Sequence, residues 1–498
     1  MQLNPKLKYI LILFSLLLHA CATTGVNQQV ADFQRPAKYV HFFEVLDRIV
    51  VEADARNAAS FPVSGFPYLR TNRFLTGLKR DLDTDARKEQ WVRWLQQLDM
   101  EARKKEIHNL PSNAVRDLAL ALGEKFDRDT LQARAALYSD KMLNHDLRRA
   151  DFFEVVEAAA VNIDEYKTAY RIIGLYPITS LPVAFVTNRV QGEFRNWHQK
   201  PLDQLPIQGE LIVYGPSAPA AYSRLNVSVI LNRWRSNALG APIPSDTDTK
   251  TLAAMFAPLI RQDQVHSYDR IGAVVWQDGR VRIDFQQPTV YYYLTHARFK
   301  GEPVLQLNYV FWYSARKGPN SPWIERGDLD GLTVRVSLDN DGAPFMLDIM
   351  NTCGCYHFYV PDPKRVKRII PAPGEIDAFV PRWMPESFPQ RRLDIQINSG
   401  WHQVVHIGAA KDPTVFLPYR LVAYDQLEML PHPDLRFESI FNSRGIAKDS
   451  DRLEFIIFFP MGIPDVGSMR QRGHHAVKLV GRSDFEDPDI FDKSFEFY

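Results

Sequence analysis

The spacing of apolar residues changes once along this chain, near residue 175, and that change limits the fold more than any other feature. Upstream, apolar side chains recur every three or four positions: Tyr39, Phe42, Phe43, Leu46, Ile49 and Val50, then Trp91, Leu95 and Leu98. Such spacing marks one face of an α-helix. Pro111 stands where a first helical turn tolerates proline, ahead of Val115, Leu118 and Leu122, and 126–173 also reads mostly helical. Gly174-Leu175-Tyr176-Pro177 is the expected end of the helical region. Downstream, short runs rich in Val, Ile, Tyr and Phe are punctuated by Gly, Pro, Asn and Asp, which is the pattern of strands and turns. Segments 271–276 and 280–285 flank Asp278-Gly279, a dipeptide that accepts the positive φ angles of a tight hairpin. Leu332, Val334, Val336 and Leu338 alternate with polar residues up to Asn340-Asp341-Gly342, and Phe345, Leu347 and Ile349 resume the alternation. Further runs at 291–293, 304–313, 393–397 and 455–459 extend the series. The expected fold is α+β: an α-helical domain over 38–174, then a large, mainly antiparallel β domain over 178–498, sandwich- or barrel-like and divisible near 362–390.

The first twenty residues follow a different logic. Lys6 and Lys8 precede an apolar run over 9–18, and Leu18-His19-Ala20-Cys21 follows. Basic, apolar, then small is the order of a secretory signal. The run is about half of the roughly twenty residues a membrane-spanning helix requires. Leu18 to Cys21 resembles the lipobox of bacterial lipoproteins, with an aliphatic residue three before the cysteine and a small one just before it; His19 departs from the usual pattern. The resemblance covers residues 1–20 as signal peptide and implies cleavage before Cys21. Cys21 would then carry a palmitate-like acyl anchor, and 21–37 would form a linker. Ala22, rather than an aspartate, implies sorting to the outer membrane, with the mature chain facing the periplasm.

Charge and cysteine content narrow the function. Sixty Lys and Arg against fifty-nine Asp and Glu leave almost no net charge, so nothing steers the chain toward nucleic acid. No phosphate loop or dinucleotide fingerprint occurs, which argues against nucleotide. After Cys21 only Cys353 and Cys355 remain, so this is not a disulfide-stapled scaffold.

Those two thiols lie in the densest chemistry of the chain, Asn351-Thr352-Cys353-Gly354-Cys355-Tyr356-His357. If the strand holding Ile349 continues, Cys353, Cys355 and His357 project from one face. Two thiols and an imidazole suit zinc or copper, with His296 or His474 completing the set. The alternative is a thiol–disulfide couple, whose closure requires Gly354 to bend the backbone. A third reading makes both cysteines small buried hydrophobes. Arg298, Tyr309 and Arg316 are candidate contacts for an anionic or sugar substrate, by planar donors and stacking. A non-catalytic lipoprotein binding a protein or glycan in the envelope is the competing class. His402 and His406 lack the glutamate of a zincin, and Asp328-Leu329-Asp330-Gly331 and Asp339-Asn340-Asp341-Gly342 read as turns rather than calcium loops.

Overall fold

The computed structural model describes residues 33–410 and 415–498. The expected signal peptide, Cys21 and the linker up to residue 32 lie outside the described residues. The fold is α+β, in two compact units: residues up to 56 with 60–163, and 164–498 with 57–59. The chain thus passes between units at 163/164, eleven residues before the glycine expected to end the helical region.

The first unit holds five main helices: α1 (Ala37–Glu52), α2 (Asp85–Asn109), α3 (Ser112–Leu122), α4 (Arg128–Asp146) and α5 (Phe152–Ala159). Local chemistry sets their ends. The Thr84 side chain accepts from the Arg87 N–H at the start of α2, Asp127 and Thr130 form a reciprocal box at α4, and Gly123 closes α3 at φ 67°. The unit also contains a hairpin, Phe61–Val63 with Phe66–Thr71, that helical spacing does not reveal. Its Arg70 is buried against Asp99 and Glu106 of α2, while Arg103 bridges Asp99 and Asp47. The buried face of α2 is therefore partly ionic, which blurs its apolar periodicity.

The second unit is built on a ten-stranded sheet. Its strands are β1 (Glu210–Pro216), β2 (Leu259–Gln264), β3 (Thr289–Phe299), β4 (Glu302–Arg316), β5 (Gly327–Leu338), β6 (Pro344–Asn351), β7 (Phe358–Pro361), β8 (Leu393–Ile397), β9 (Val404–Ala409) and β10 (Leu417–Ala423). Their order is β7-β6-β5-β4-β3-β10-β1-β2-β8-β9, antiparallel except where β10 pairs with β3 and β1 and where β8 pairs with β2. The sheet curls into a half-barrel. The two predicted hairpins form in register: Ala273–Gln277 with Arg280–Asp284, where Asp278 and Gly279 take φ 52° and 70°, and β5 with β6.

Both faces of this sheet are covered, so alternation along β4 sorts residues between two cores rather than between core and water. Leu305, Leu307, Tyr309, Phe311 and Tyr313 join one core; Val310 and Trp312 join the other. The first is closed by the helices Arg224–Trp234 and Asp246–Phe256 through Val227, Leu231, Leu252 and Phe256. The polar residues of the alternation are buried in pairs: Arg335 binds Asp348, and Gln306 binds Thr295 and Ser337.

Two segments depart from expectation. Pro177 lies in the first turn of a 24-residue helix, α6 (Tyr176–Gln199), where strands were expected. Proline is tolerated there, and the Val, Ile and Thr content of the segment has strand character at short range. Residues 455–459 are likewise helical, in Glu454–Phe458 and the 3-10 turn Phe459–Met461. A short, wholly apolar run carries no period of its own.

Candidate functional site

The Cys353 segment is not a continuation of β6. The strand stops at Asn351, and a loop carries the chain over to β7, pairing Ile349 with Phe358. Within it the Gly354 N–H donates to the Asn351 carbonyl (2.7 Å) and the Asn351 N–H to the Cys355 carbonyl (3.1 Å). Gly354 takes φ 90° and Tyr356 φ 54°, so the period-two argument for a shared face does not apply. A Cβ on Gly354 would sit 2.4 Å from the Ala476 carbonyl oxygen; only glycine fits the backbone angle and the contact together. The loop is pinned from outside by Thr352 N–H to the Gly331 carbonyl and Arg470 N–H to the Thr352 carbonyl, each 2.9 Å.

This bend brings the two thiols together. Both cysteines are free, Cys353 buried and Cys355 half-buried. The Cys355 N–H donates to the sulfur of Cys353 at 3.4 Å, which holds the two thiols side by side. Burial opposes a Cys353 thiolate, but the Cys355 donor and the nearby Arg316 guanidinium outweigh it and draw its pKa below the ordinary thiol value. Cys355 moves the other way, pushed well up because its proton is held by Cys353 and by burial. The geometry is asymmetric in the same sense: the sulfur of Cys353 accepts a backbone N–H, which favours its thiolate.

Beneath the loop runs a connected, buried ionic network. Arg316 donates two parallel bonds to Asp330 (3.0 and 2.9 Å) and a third to Glu325 (2.7 Å). Glu325 also accepts from the Tyr356 hydroxyl and from Trp401 Nε1 (2.9 Å). His402 lies between two carboxylates, Nδ1 at 2.8 Å from Asp330 and Nε2 at 3.1 Å from Asp269, with its ring stacked on Tyr313 at 3.9 Å. Only an imidazolium donates from both nitrogens. Accordingly, burial favours the neutral ring, but the two carboxylates outweigh it and raise the pKa of His402.

Cys353, Cys355, Glu325 and Glu454 line a cavity of about 280 Å³ whose other walls include Val183, Val190, Phe194, Phe379, Val466 and Leu479. Burial, with the adjacent Cys353 and Glu325, drives the Glu454 carboxyl well above the usual range and so favours its protonated form. The site therefore offers two neighbouring free thiols and a carboxyl whose protonated form is favoured, on the wall of a largely apolar space.

The other predicted ligands are placed elsewhere. His357 Nε2 is bound to Asp348 at 3.0 Å. His296, half-buried, meets the Pro242 carbonyl at 2.6 Å, and the desolvation of its ring pushes its pKa down to about 4. The His474 ring lies between Glu165 (2.8 Å) and the Ala58 carbonyl (2.7 Å). The structure does not bring the five proposed ligands together, and among the described residues no group of three or more His, Cys, Asp and Glu side chains is arranged to hold a metal ion. Of the proposed substrate contacts, Arg298 donates to the Gly301 carbonyl (2.7 Å) and Tyr309 to the Ala253 carbonyl (2.9 Å), both buried; Arg316 belongs to the network above. Asp328 and Asp330 lie in β5 rather than in a turn, whereas Asp339 does close a turn, accepting from the N–H groups of Asp341 and Ala343. Asp269, Glu325, Trp401 and Glu454 carried no motif, and no spacing rule links His402 to Asp330. No family model, no curated protein and no solved structure matches the chain.

Proposed function

We propose that the protein is an envelope lipoprotein, held to the outer membrane by a lipid on Cys21, whose Cys353–Cys355 pair performs thiol–disulfide exchange at the wall of an apolar cavity. The observation that carries this reading is geometric: two free thiols two residues apart line one cavity, with the Cys355 N–H on the sulfur of Cys353. Attack by the Cys353 sulfur on a disulfide R–S–S–R′ forms a Cys353–S–S–R bond and expels R′–S⁻, to which Glu454 donates a proton. Cys355, giving its proton back to Glu454, then attacks Cys353; the Cys353–Cys355 bond forms and R–S⁻ leaves, taking that proton. The substrate disulfide gains two electrons and the protein dithiol loses them. Pairing across a single intervening residue strains the ring, which favours an oxidising couple.

The test is equilibration of the folded full chain with reduced and oxidised glutathione, followed by thiol counting and mass mapping. Wild type should lose both thiols together, and Cys355→Ser should accumulate a glutathione adduct on Cys353. Two thiols inert to oxidised glutathione would overturn the proposal, as would stoichiometric zinc or copper that disappears on Cys353→Ser.

A further inference from the structure

Helix α6 is buried at only three of its 24 residues, Ser180, Phe194 and His198. Its outward surface is nonetheless apolar: Ile178, Leu181, Phe185 and Val186 are between 52% and 73% exposed. The preceding helix Thr168–Ile173 adds Ile172 and Ile173, about 70% exposed each. Residues 172–188 contain no charged side chain, and Arg171 and Arg189 bracket them.

A second segment extends this face. The Arg171 side chain donates to the Met461 carbonyl (2.9 Å), the Lys167 N–H donates to the Gly462 carbonyl (2.6 Å), and Tyr170 meets Phe455 and Phe459 edge-on. A Cβ on Gly174 would lie 2.4 Å from Pro460, so the two segments pack as closely as backbone allows. Leu453, Ile456 and Ile457 then stand exposed beside the first helix. Glu454 is the one charged residue in 453–463, and it is buried.

We propose that this face, residues 172–188 with 453–458, lies on a lipid bilayer, its aliphatic side chains at the boundary between headgroups and acyl chains. No helix among the described residues is long and apolar enough to cross a membrane, whereas a helix lying in the interface needs only one apolar face flanked by basic and aromatic residues. Arg171, Arg189 and Tyr170 flank it here. The occupant follows from the anchor: Phe33 is twelve residues from Cys21, at most about 40 Å of extended chain. On that reading, a bilayer stays within reach at high effective concentration. Val186 both belongs to the face and lines the cavity of Cys353, so docking brings the thiols' cavity to the membrane surface and makes a membrane-soluble thiol or disulfide its accessible substrate class. The docking rests on the lipid-anchor reading and not on the redox chemistry; the substrate class rests on both.

The test is hydrogen–deuterium exchange on the full, lipid-bearing chain in vesicles of phosphatidylethanolamine and phosphatidylglycerol at low protein-to-lipid ratio. Peptides over 453–459 should exchange about tenfold or more slowly in wild type than in the double variant Leu181→Glu/Phe185→Glu, because the substituted face leaves the lipid. The Leu120→Glu variant, altered at an exposed apolar position of the first unit, should behave as wild type. Equal exchange in wild type and double variant would overturn the proposal. So would protection that grows with protein-to-lipid ratio, which assigns the face to a second copy of the chain. The mass of the N-terminal peptide separates the two readings: lipid on Cys21 without protection sinks the docking alone, and protection without lipid sinks the anchor alone.

Discussion

At the scale of single residues, the most constrained side chain is His402, whose charge is held by Asp269 and Asp330. Replacing it with Asn strands two buried carboxylates, and breaking such a group costs about 3–5 kcal/mol, measurable by urea unfolding at pH 6. The pH dependence follows from the directions of the shifts. His402 is raised in the fold, so its contribution is complete below the unfolded value of about 6.5 and is lost as pH rises through the folded one. Asp330 is lowered: burial opposes this, but Arg316 and His402 outweigh it. Its contribution holds above about 3.9 and fades as pH falls through the folded value. Stability should therefore peak between roughly pH 4 and 6.5, and His402→Asn should flatten the alkaline side of that profile. Glu454 works in reverse. Its carboxyl is raised by burial and by Cys353, so the fold favours the protonated form and loses stability as pH climbs past the unfolded value of about 4.3. Glu454→Gln should stabilise the protein at pH 8 by about 1 kcal/mol or more, while slowing exchange at Cys353. Cys355→Ala, which removes the thiol donor, should move the midpoint of Cys353 alkylation to higher pH.

At the scale of elements, the loop after β6 and helix α6 show where reading by period ends. The dense motif 351–357 was visible in the sequence, but which of its groups converge was not. Gly354 at φ 90° and Tyr356 at φ 54° turn the chain, and this joins the sulfurs while sending His357 to Asp348. Gly354→Ala should cost about 1–3 kcal/mol through the strained φ alone, with the Ala476 contact adding to it, and should uncouple the two thiols in alkylation assays. Helix α6 fell within the expected β domain because Gly174–Pro177 marked the boundary; that proline sits in the first turn of the helix. Its exposed apolar positions contribute little to folding, so Leu181→Glu/Phe185→Glu should leave the unfolding midpoint nearly unchanged, within about 0.5 kcal/mol per site.

At the scale of the whole molecule, the proposed tether is the simplest claim to check: the N-terminal peptide of the membrane-bound protein should begin at Cys21 and carry acyl mass, and an unmodified Cys21 in that fraction would count against lipid attachment. The α+β class, the two hairpins and the runs 291–293, 304–313 and 393–397, which lie within β3, β4 and β8, were legible in the sequence. Each rests on a local rule, a period of 3.6 or 2 or a turn dipeptide that fixes φ, and such rules act over a few residues. The network of Asp269, His402, Asp330, Arg316 and Glu325 was not legible. Its members come from distant parts of the chain and meet only when the sheet and its connecting loops bring them together, and no local spacing encodes a contact made across a fold. The same reason governs burial. Alternation along β4 and β5 showed which residues share a face, but only the covering of both faces decided that Arg335, Gln306 and Asn308 would be buried with partners rather than left in water.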